Sequence, residues 1–353
     1  MRLAIGGMGT ALPEHSLAQE RAAALSSHLS GHDDGQAKRL AALYRKSGVR
    51  RRHLAMLDRS EPETPPEGLH GATTRWRMER YDCLVRPLAR EAAGKALAAS
   101  GVAPSSITHL VTVSCTGFAA PGFDLALIGG LGLDPGVQRT HVGFMGCHGA
   151  LNGLRVARAF AGSEPRARVL LCAAELCALH FQEGWEADDA VANALFADGS
   201  AALVLGSDLP SGDRWEAAGS GSYLLPDCGD AMSWTIGDQG FAMTLSSRVA
   251  PIIAEALRPW LEGWLAPFGL APDDVRTWAV HPGGPRIIDA VETALGLDRQ
   301  ATAVSRDVLA QCGNMSSPTI LFILDRLRRQ DAPRPCVALA FGPGLAIEAA
   351  LFL

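Results

Sequence analysis

The chain has 353 residues, 48% of them apolar and 20% charged, with a formal charge of −5 at neutral pH. That length suits one large α/β domain or two fused halves, and the composition excludes a disordered chain. The negative balance gives no electrostatic footing for nucleic acid, and no apolar stretch approaches the roughly 20 residues that span a bilayer.

The opening "MRLAIGGMGT" has too short an apolar run for a secretory signal, and the eight cysteines are scattered in apolar contexts rather than spaced as a disulfide framework. A soluble, cytoplasmic protein without membrane insertion is expected. Residues 11 to 100 read as helix-rich and polar. They carry the basic clusters "KRL" and "RKSGVRRRH", open to reading as a solvated face or as a site for an anionic small molecule. One loop-like interruption, "DRSEPETPPEGLHGATT", has the composition of an exposed connection.

From residue 107 the texture changes. "ITHLVTVSC" and "ARVLLCAAE" are short aliphatic runs of the kind buried on both faces, each followed by helical periodicity, and "ADGSAALVLGSD" gives a turn into another strand. The second half repeats the logic: a strand in "VRTWAVHPGG", helices over "PRIIDAVETALGL" and "NMSSPTILFILDRL", and a closing strand pair in "PCVALAFGPGLAIEAALFL". Two similar α/β halves are expected, 1–208 and 209–353. They rhyme where a glycine-flanked polar residue opens a helix, at Gly146-Cys147 and at Gly313-Asn314.

A helix start offers free N–H groups and partial positive charge, which stabilise a thiolate; Cys147 is therefore placed as a nucleophile, against the alternative of an inert packed thiol. His281 ends the strand-like "TWAV", and the following "PGGP" turn should expose its imidazole at a strand's carboxyl end, where α/β sheets tend to build their sites. Asn314 reads either as the cap of its helix or as an amide donor to a developing oxyanion. Thiol, imidazole and amide together serve acyl transfer through a thioester. Papain-like proteases use the same three types in the same order, but their nucleophile lies near the mature N-terminus, not deep in an α/β half. "CAAELC" has four residues between its cysteines, so no zinc pattern is completed and no metal is expected.

In these motifs the sequence resembles the chalcone and stilbene synthase family, the type III polyketide synthases of the thiolase superfamily. The resemblance runs from about residue 40 to the end and rests on "GC" at the nucleophile, "AVHPGGP", "GNMSS" at 313–317 and "AFGPG" at 340–344. It implies a five-layered αβαβα thiolase-like fold and a homodimer. It also implies iterative decarboxylative Claisen condensation of malonyl-CoA onto an acyl-CoA starter held on Cys147, followed by cyclisation to an aromatic or pyrone product. His281 would pair with the thiolate as an imidazolium and, with Asn314, hold the malonyl thioester carbonyl; no cofactor is required. Cys115, in "VSCTGF", resembles an extra cavity cysteine of bacterial members and points to a bacterial-type enzyme.

The resemblance further implies gatekeepers at Phe181 and Phe241, other pocket positions at Cys177, Ser316, Gly342, Pro343 and Gly344, and coenzyme A contacts at Lys46 and Arg39. A further family arginine is replaced by Ala42, and Arg286 stands where relatives have alanine. Two departures are evident: "CHGAL" places His148 beside the thiol, with its ring expected to point away because neighbours on a helix do not share a face, and Ala120 replaces a bulky residue expected to reach the partner subunit. The alternatives are a single-condensation 3-oxoacyl synthase resembling ketoacyl synthase III, against which "GNMSS" and "FGPG" stand, and a non-catalytic thiolase-fold partner.

Overall fold

The computed structural model describes residues 3–58, 71–184, 186–209 and 215–353. Most of the connection read at "DRSEPETPPEGLHGATT" lies outside the described residues. In chain order the first half contains β1 (Leu3–Ala11), β2 (Ser16–Ala18), α1 (Gln19–Leu29), α2 (Asp34–Lys46), β3 (Arg51–His53), α3 (Thr74–Ser100) and β4 (His109–Ser114). It continues with α4 (Phe123–Leu131), β5 (Gln138–Gly143), α5 (Gly149–Ser163), β6 (Arg168–Leu176), α6 (Ala187–Leu195) and β7 (Asp198–Gly206). The second half contains β8 (Glu216–Leu224), β9 (Met232–Gly237), β10 (Gly240–Leu245), α7 (Val249–Leu265) and β11 (Thr277–Val280). It closes with α8 (Pro285–Leu295), α9 (Ala303–Cys312), α10 (Pro318–Arg329), β12 (Cys336–Gly342) and β13 (Ala346–Phe352).

Alternation along the strands assigns the layers. In β6, Val169, Leu171 and Ala173 face one core, which they share with α5 and α10, while Leu170, Cys172 and Ala174 face another, shared with α3 and α4. In β12, Cys336, Ala338 and Ala340 join the α5/α10 core, while Val337, Leu339 and Phe341 join a third core with α7 and α8. Helices α5 and α10 therefore lie between two sheet halves, each covered outside by its own helices, which gives the five-layered α/β arrangement expected. The strand order is β11-β12-β13-β8-β1-β7-β6-β4-β5, and within the sheet the halves meet where β1 pairs with β8, Leu3 with Ala217 and Ala4 with Glu216.

The central helices bury a broad apolar face between the two sheet halves and carry their arginines, Arg155 and Arg158 in α5 and Arg326, Arg328 and Arg329 in α10, on the remainder. Ile320, Leu321, Ile323 and Leu324 of α10 are all fully buried, and truncating one such side chain to alanine typically costs about 2–5 kcal/mol. The connection α5–β6–β7 in the first half has its counterpart in α10–β12–β13 in the second. That repetition places the starts of α5 and α10 at the same level of the molecule, which is what lets two distant sequence segments build one site.

Candidate active site

Cys147 lies in a short 3-10 turn, Gly146–His148, that feeds directly into α5. The chain enters it through Phe144 and Gly146, both with positive φ, 59° and 73°. A Cβ on Gly146 would also stand 2.7 Å from Pro343 Cδ, so only glycine satisfies both the backbone and the close approach of the β12–β13 turn. His281 follows β11, its N–H donating to the Leu339 carbonyl at 2.8 Å. The strand-end position agrees with expectation, but the imidazole is 1% exposed rather than presented to solvent, because α8 and the neighbouring strands close over it.

Asn314 does not cap its helix. Helix α10 begins four residues later, at Pro318, and Asn314 instead forms a parallel bridge with Phe196. Its N–H donates to Leu195 O at 2.9 Å, and its carbonyl accepts from Ala197 N at 2.8 Å. The side-chain Oδ1 accepts from Ser316 N at 2.8 Å, which leaves the amide NH2 as the group to face the cavity. Cys147, His281 and Asn314 all line one narrow cavity of about 20 Å3, walled by Ala192, Phe196, Met232, Met243 and Phe341 among others.

Burial sets the electrostatics here. It pushes the Cys147 thiol up to about 11, against the hydrogen-bonding influence of Ser316 and Asn314 and of the turn's own backbone, which favour the thiolate. The helix-start effect anticipated from the sequence is present, but desolvation outweighs it. Burial likewise holds His281 down to about 3, with the charge of His148 adding to the effect. Burial thus favours a neutral thiol and a neutral imidazole over the ion pair.

A buried acidic side chain lies behind the thiol, its pKa raised above the usual carboxylate range by burial and opposed in that by the donors that bond it. The fully buried carboxylate of Glu175 accepts from Cys115 N (2.9 Å), Thr116 N (3.1 Å), Thr116 Oγ1 (2.7 Å), Ser114 Oγ (3.1 Å) and Ser317 Oγ (2.6 Å). Four of those donors come from the end of β4 and one from the start of α10, so a single side chain ties the two halves together. Sequence reading missed it, since one glutamate in "CAAELC" carries no signal of five donors converging from elsewhere.

The remaining expected residues separate into groups. Lys46 and Arg286 line one groove of about 520 Å3 that shares Leu195, Leu245, Gly283 and Ile287 with the thiol cavity. Arg39 is exposed on α2 and is not among the groove residues. Cys177, Phe181 and Phe241 line a different, largely apolar cavity of about 130 Å3 together with Leu17, Leu25 and Leu54. The side chains common to that cavity and the thiol cavity are Ala192, Phe196 and Met243. Phe196 and Met243 therefore border both spaces. Phe241 is instead stacked on His180, with ring centroids 4.0 Å apart.

Cys115 and Ser316 are neighbours, with Sγ and Oγ 3.3 Å apart, and sit behind the thiol rather than on the cavity wall. Gly342 and Pro343 likewise back the cysteine turn, Gly344 lies against Leu224 instead, and Phe341 is the member of that motif that reaches the cavity. Arg52, from the basic cluster, is neither a solvated residue nor an anion site. It is 4% exposed and donates to Gln19 Oε1 at 2.6 Å, Ala194 O at 2.6 Å and Phe196 O at 3.0 Å, which pins the carboxyl end of α6 beside Asn314. Among the described residues no group of His, Cys, Asp or Glu could hold a metal ion, and no helix is long and apolar enough to cross a membrane.

The family models "Chalcone and stilbene synthases, N-terminal domain" and "Chalcone and stilbene synthases, C-terminal domain" match residues 2–209 and 218–353. The chain is 34% identical over 357 residues to "Alpha-pyrone synthesis polyketide synthase-like Pks18" of Mycobacterium tuberculosis, covering 99% of this chain and 90% of the relative. It is 34% identical over 353 residues to the 1,3,6,8-tetrahydroxynaphthalene synthase of Streptomyces peucetius subsp. caesius, covering 98% and 91%. The crystal structure of PKS-I from the brown alga Ectocarpus siliculosus superposes with a TM-score of 0.94 at 32% identity, over 99% of this chain and 98% of that one. The chain belongs to the chalcone and stilbene synthase family, the type III polyketide synthases.

Proposed function

We propose that Cys147 carries an acyl group taken from an acyl-CoA and extends it repeatedly with malonyl-CoA, the product closing to an aromatic ring or a pyrone. The observation that carries this reading is the position of the thiol between two different spaces: a groove bearing the cations Lys46 and Arg286, suited to the phosphates of coenzyme A, and an apolar cavity suited to an acyl chain. In loading, the Cys147 S–H proton passes to His281 as sulfur attacks the thioester carbonyl. The C–S bond to coenzyme A breaks, and the departing thiolate takes that proton. Proton transfer within a neutral pair creates a thiolate and imidazolium together, so neither ion has to exist alone in a dry site.

In extension, the Asn314 amide and the His281 N–H donate to the malonyl thioester carbonyl. The C–C bond to the carboxylate breaks, CO2 leaves, and its electron pair forms an enolate whose charge those two donors stabilise. The enolate carbon attacks the Cys147 thioester, and the cysteine thiolate is expelled. The lengthened chain then returns to Cys147 for the next round. Every electron pair is accounted for by substrate and protein, so we propose that acyl-CoA and malonyl-CoA are used without a further cofactor.

A homodimer is proposed as the working form. Phe118, Leu125, Phe144 and Met145 are 37–43% exposed, near edge strand β5 and next to Ala120, and such a grouping favours burial against a second copy. The enzymatic reading is tested by incubating the protein with malonyl-CoA and a panel of aromatic and fatty acyl-CoA starters and identifying products by mass spectrometry. Triketide or longer products are expected, whereas a lone diketide would favour the single-condensation synthase.

A further inference from the structure

His148 follows the nucleophile, is 2% exposed, and has no part in the chemistry above. Its ring does turn away from the thiol cavity, packing against Gly342, where a Cβ would overlap it. Its Nδ1 lies 2.6 Å from Asn152 Oδ1, and Asn152 Nδ2 donates to Glu348 Oε1 at 3.1 Å. Glu348 also accepts from Ser222 Oγ at 2.7 Å and pairs with Arg155.

This chain fixes a tautomer. A carboxylate only accepts, so the Asn152 amide must turn its NH2 to Glu348 and its oxygen to His148. His148 Nδ1 must then carry the hydrogen, and Nε2 is left as a bare lone pair. Nε2 is buried and meets no partner among the described residues, and the same holds for both ring nitrogens of His281.

The two imidazoles are thus unequal bases. A proton on His148 Nε2 would make a cation whose other N–H already rests on the Asn152 oxygen, with the Glu348 carboxylate beyond. A proton on His281 would find no acceptor for either N–H. Cations on both would repel in a dry site, and the charge of His148 does act to disfavour one on His281. Burial is the largest influence on His148 and holds it below the ordinary histidine value; the Asn152 oxygen and the Glu348 carboxylate favour its cation, Arg155 opposes it, and Cys147 is the titratable neighbour on its own turn.

We propose that His148 is a positioning residue: as pH falls it takes the first proton that the His148–His281 pair binds, and so keeps His281 neutral, and able to accept the Cys147 proton, further into acid than burial alone would. This rests on the functional reading of Cys147 and His281, but it can fail separately.

In the intact protein labelled with 15N-histidine, the ring nitrogen shifts followed against pH read the idea directly. His148 should show a protonated Nδ1 and a bare Nε2 at neutral pH, and should titrate before His281. An Nε2–H tautomer, or His281 titrating first, would overturn it. Independently, the rate of Cys147 alkylation by iodoacetamide, read on its peptide by mass spectrometry, should hold level until His281 protonates at low pH. In His148→Gln that acid limb should move up by about one unit, roughly tenfold in rate on the limb. Asn152→Leu and Glu348→Gln should move it in the same direction by less. A limb unmoved in His148→Gln, with only a uniform drop in rate, would make the residue merely structural. Loss of polyketide formation in the product assay, with the tautomer as stated, would instead count against the functional reading alone.

Discussion

The starts of α5 and α10 meet at one cavity but are built in opposite ways. Cys147 is two residues ahead of its helix, in a turn that requires glycine before it. Asn314 is four residues ahead of its helix, locked by a strand-like bridge to the end of α6. In the proposed reaction one half supplies the group that changes bonding partner, and the other supplies a donor whose backbone is hydrogen-bonded on both sides. The difference teaches that internal repetition here sets the level of the two segments and local backbone bonding sets their chemistry. Glu175, bonded to the β4 end and to Ser317, is what holds the two levels in register.

Removing the reactive half should have the largest effect. Cys147→Ala is expected to abolish acyl loading and condensation, a loss of at least about a thousandfold in turnover by radiometric product assay. Asn314→Ala should cost roughly a hundredfold to a thousandfold in malonyl-CoA decarboxylation, the effect of losing one oxyanion donor, while alkylation of Cys147 stays within a few-fold. Equal losses in both assays would show that the two helix starts do not divide the work.

The register itself can be broken through Glu175. Glu175→Leu strands at least two backbone N–H donors and should lower stability by about 3 kcal/mol or more in urea unfolding, without singling out either half. Stability should also fall with acid, because burial holds His180 down to about 4 and His281 down to about 3. In that window the unfolded chain binds protons that the folded chain does not. The contribution is complete above the ordinary histidine value of about 6.5 and is lost as pH falls through it, by about 2 kcal/mol per histidine at pH 5, and it keeps falling to the folded values. Smallest is Arg286→Ala, expected to raise KM for malonyl-CoA roughly threefold to tenfold with kcat unchanged, as a half-exposed cation on the groove should. An unchanged KM would remove Arg286 from the account.

Much of this was legible in advance because buried strands and amphipathic helices leave period-2 and period-3.6 marks. Strands β4, β6, β11, β12 and β13 and helices α8 and α10 fall where those patterns lie. Strand β1 was read only for what it is not, and β8 to β10 are glycine-rich or half-exposed and carry little periodicity. Cys147, His281 and Asn314 stand in glycine-bearing motifs that advertise close backbone approach. Glu175, Phe196 and Arg52 do not, since their roles come from partners far along the chain. Phe196 and Met243 carried no mark in the sequence, and only the folded structure shows that they line both the apolar cavity and the thiol cavity. The ionisation of the thiol was likewise beyond sequence, because it turns on how completely other layers close over the helix start.

The central claim is that Cys147, at the junction of a cationic groove and an apolar cavity, is the atom that carries the growing chain. It is tested most directly by quenching the protein in acid seconds after mixing with a fatty acyl-CoA and malonyl-CoA, digesting it, and measuring the mass of each cysteine peptide. The account predicts acyl and extended acyl masses on the Cys147 peptide alone. Acylation of the Cys115 or Cys177 peptide with Cys147 unmodified, or product formation with no acyl-cysteine at all, would contradict it.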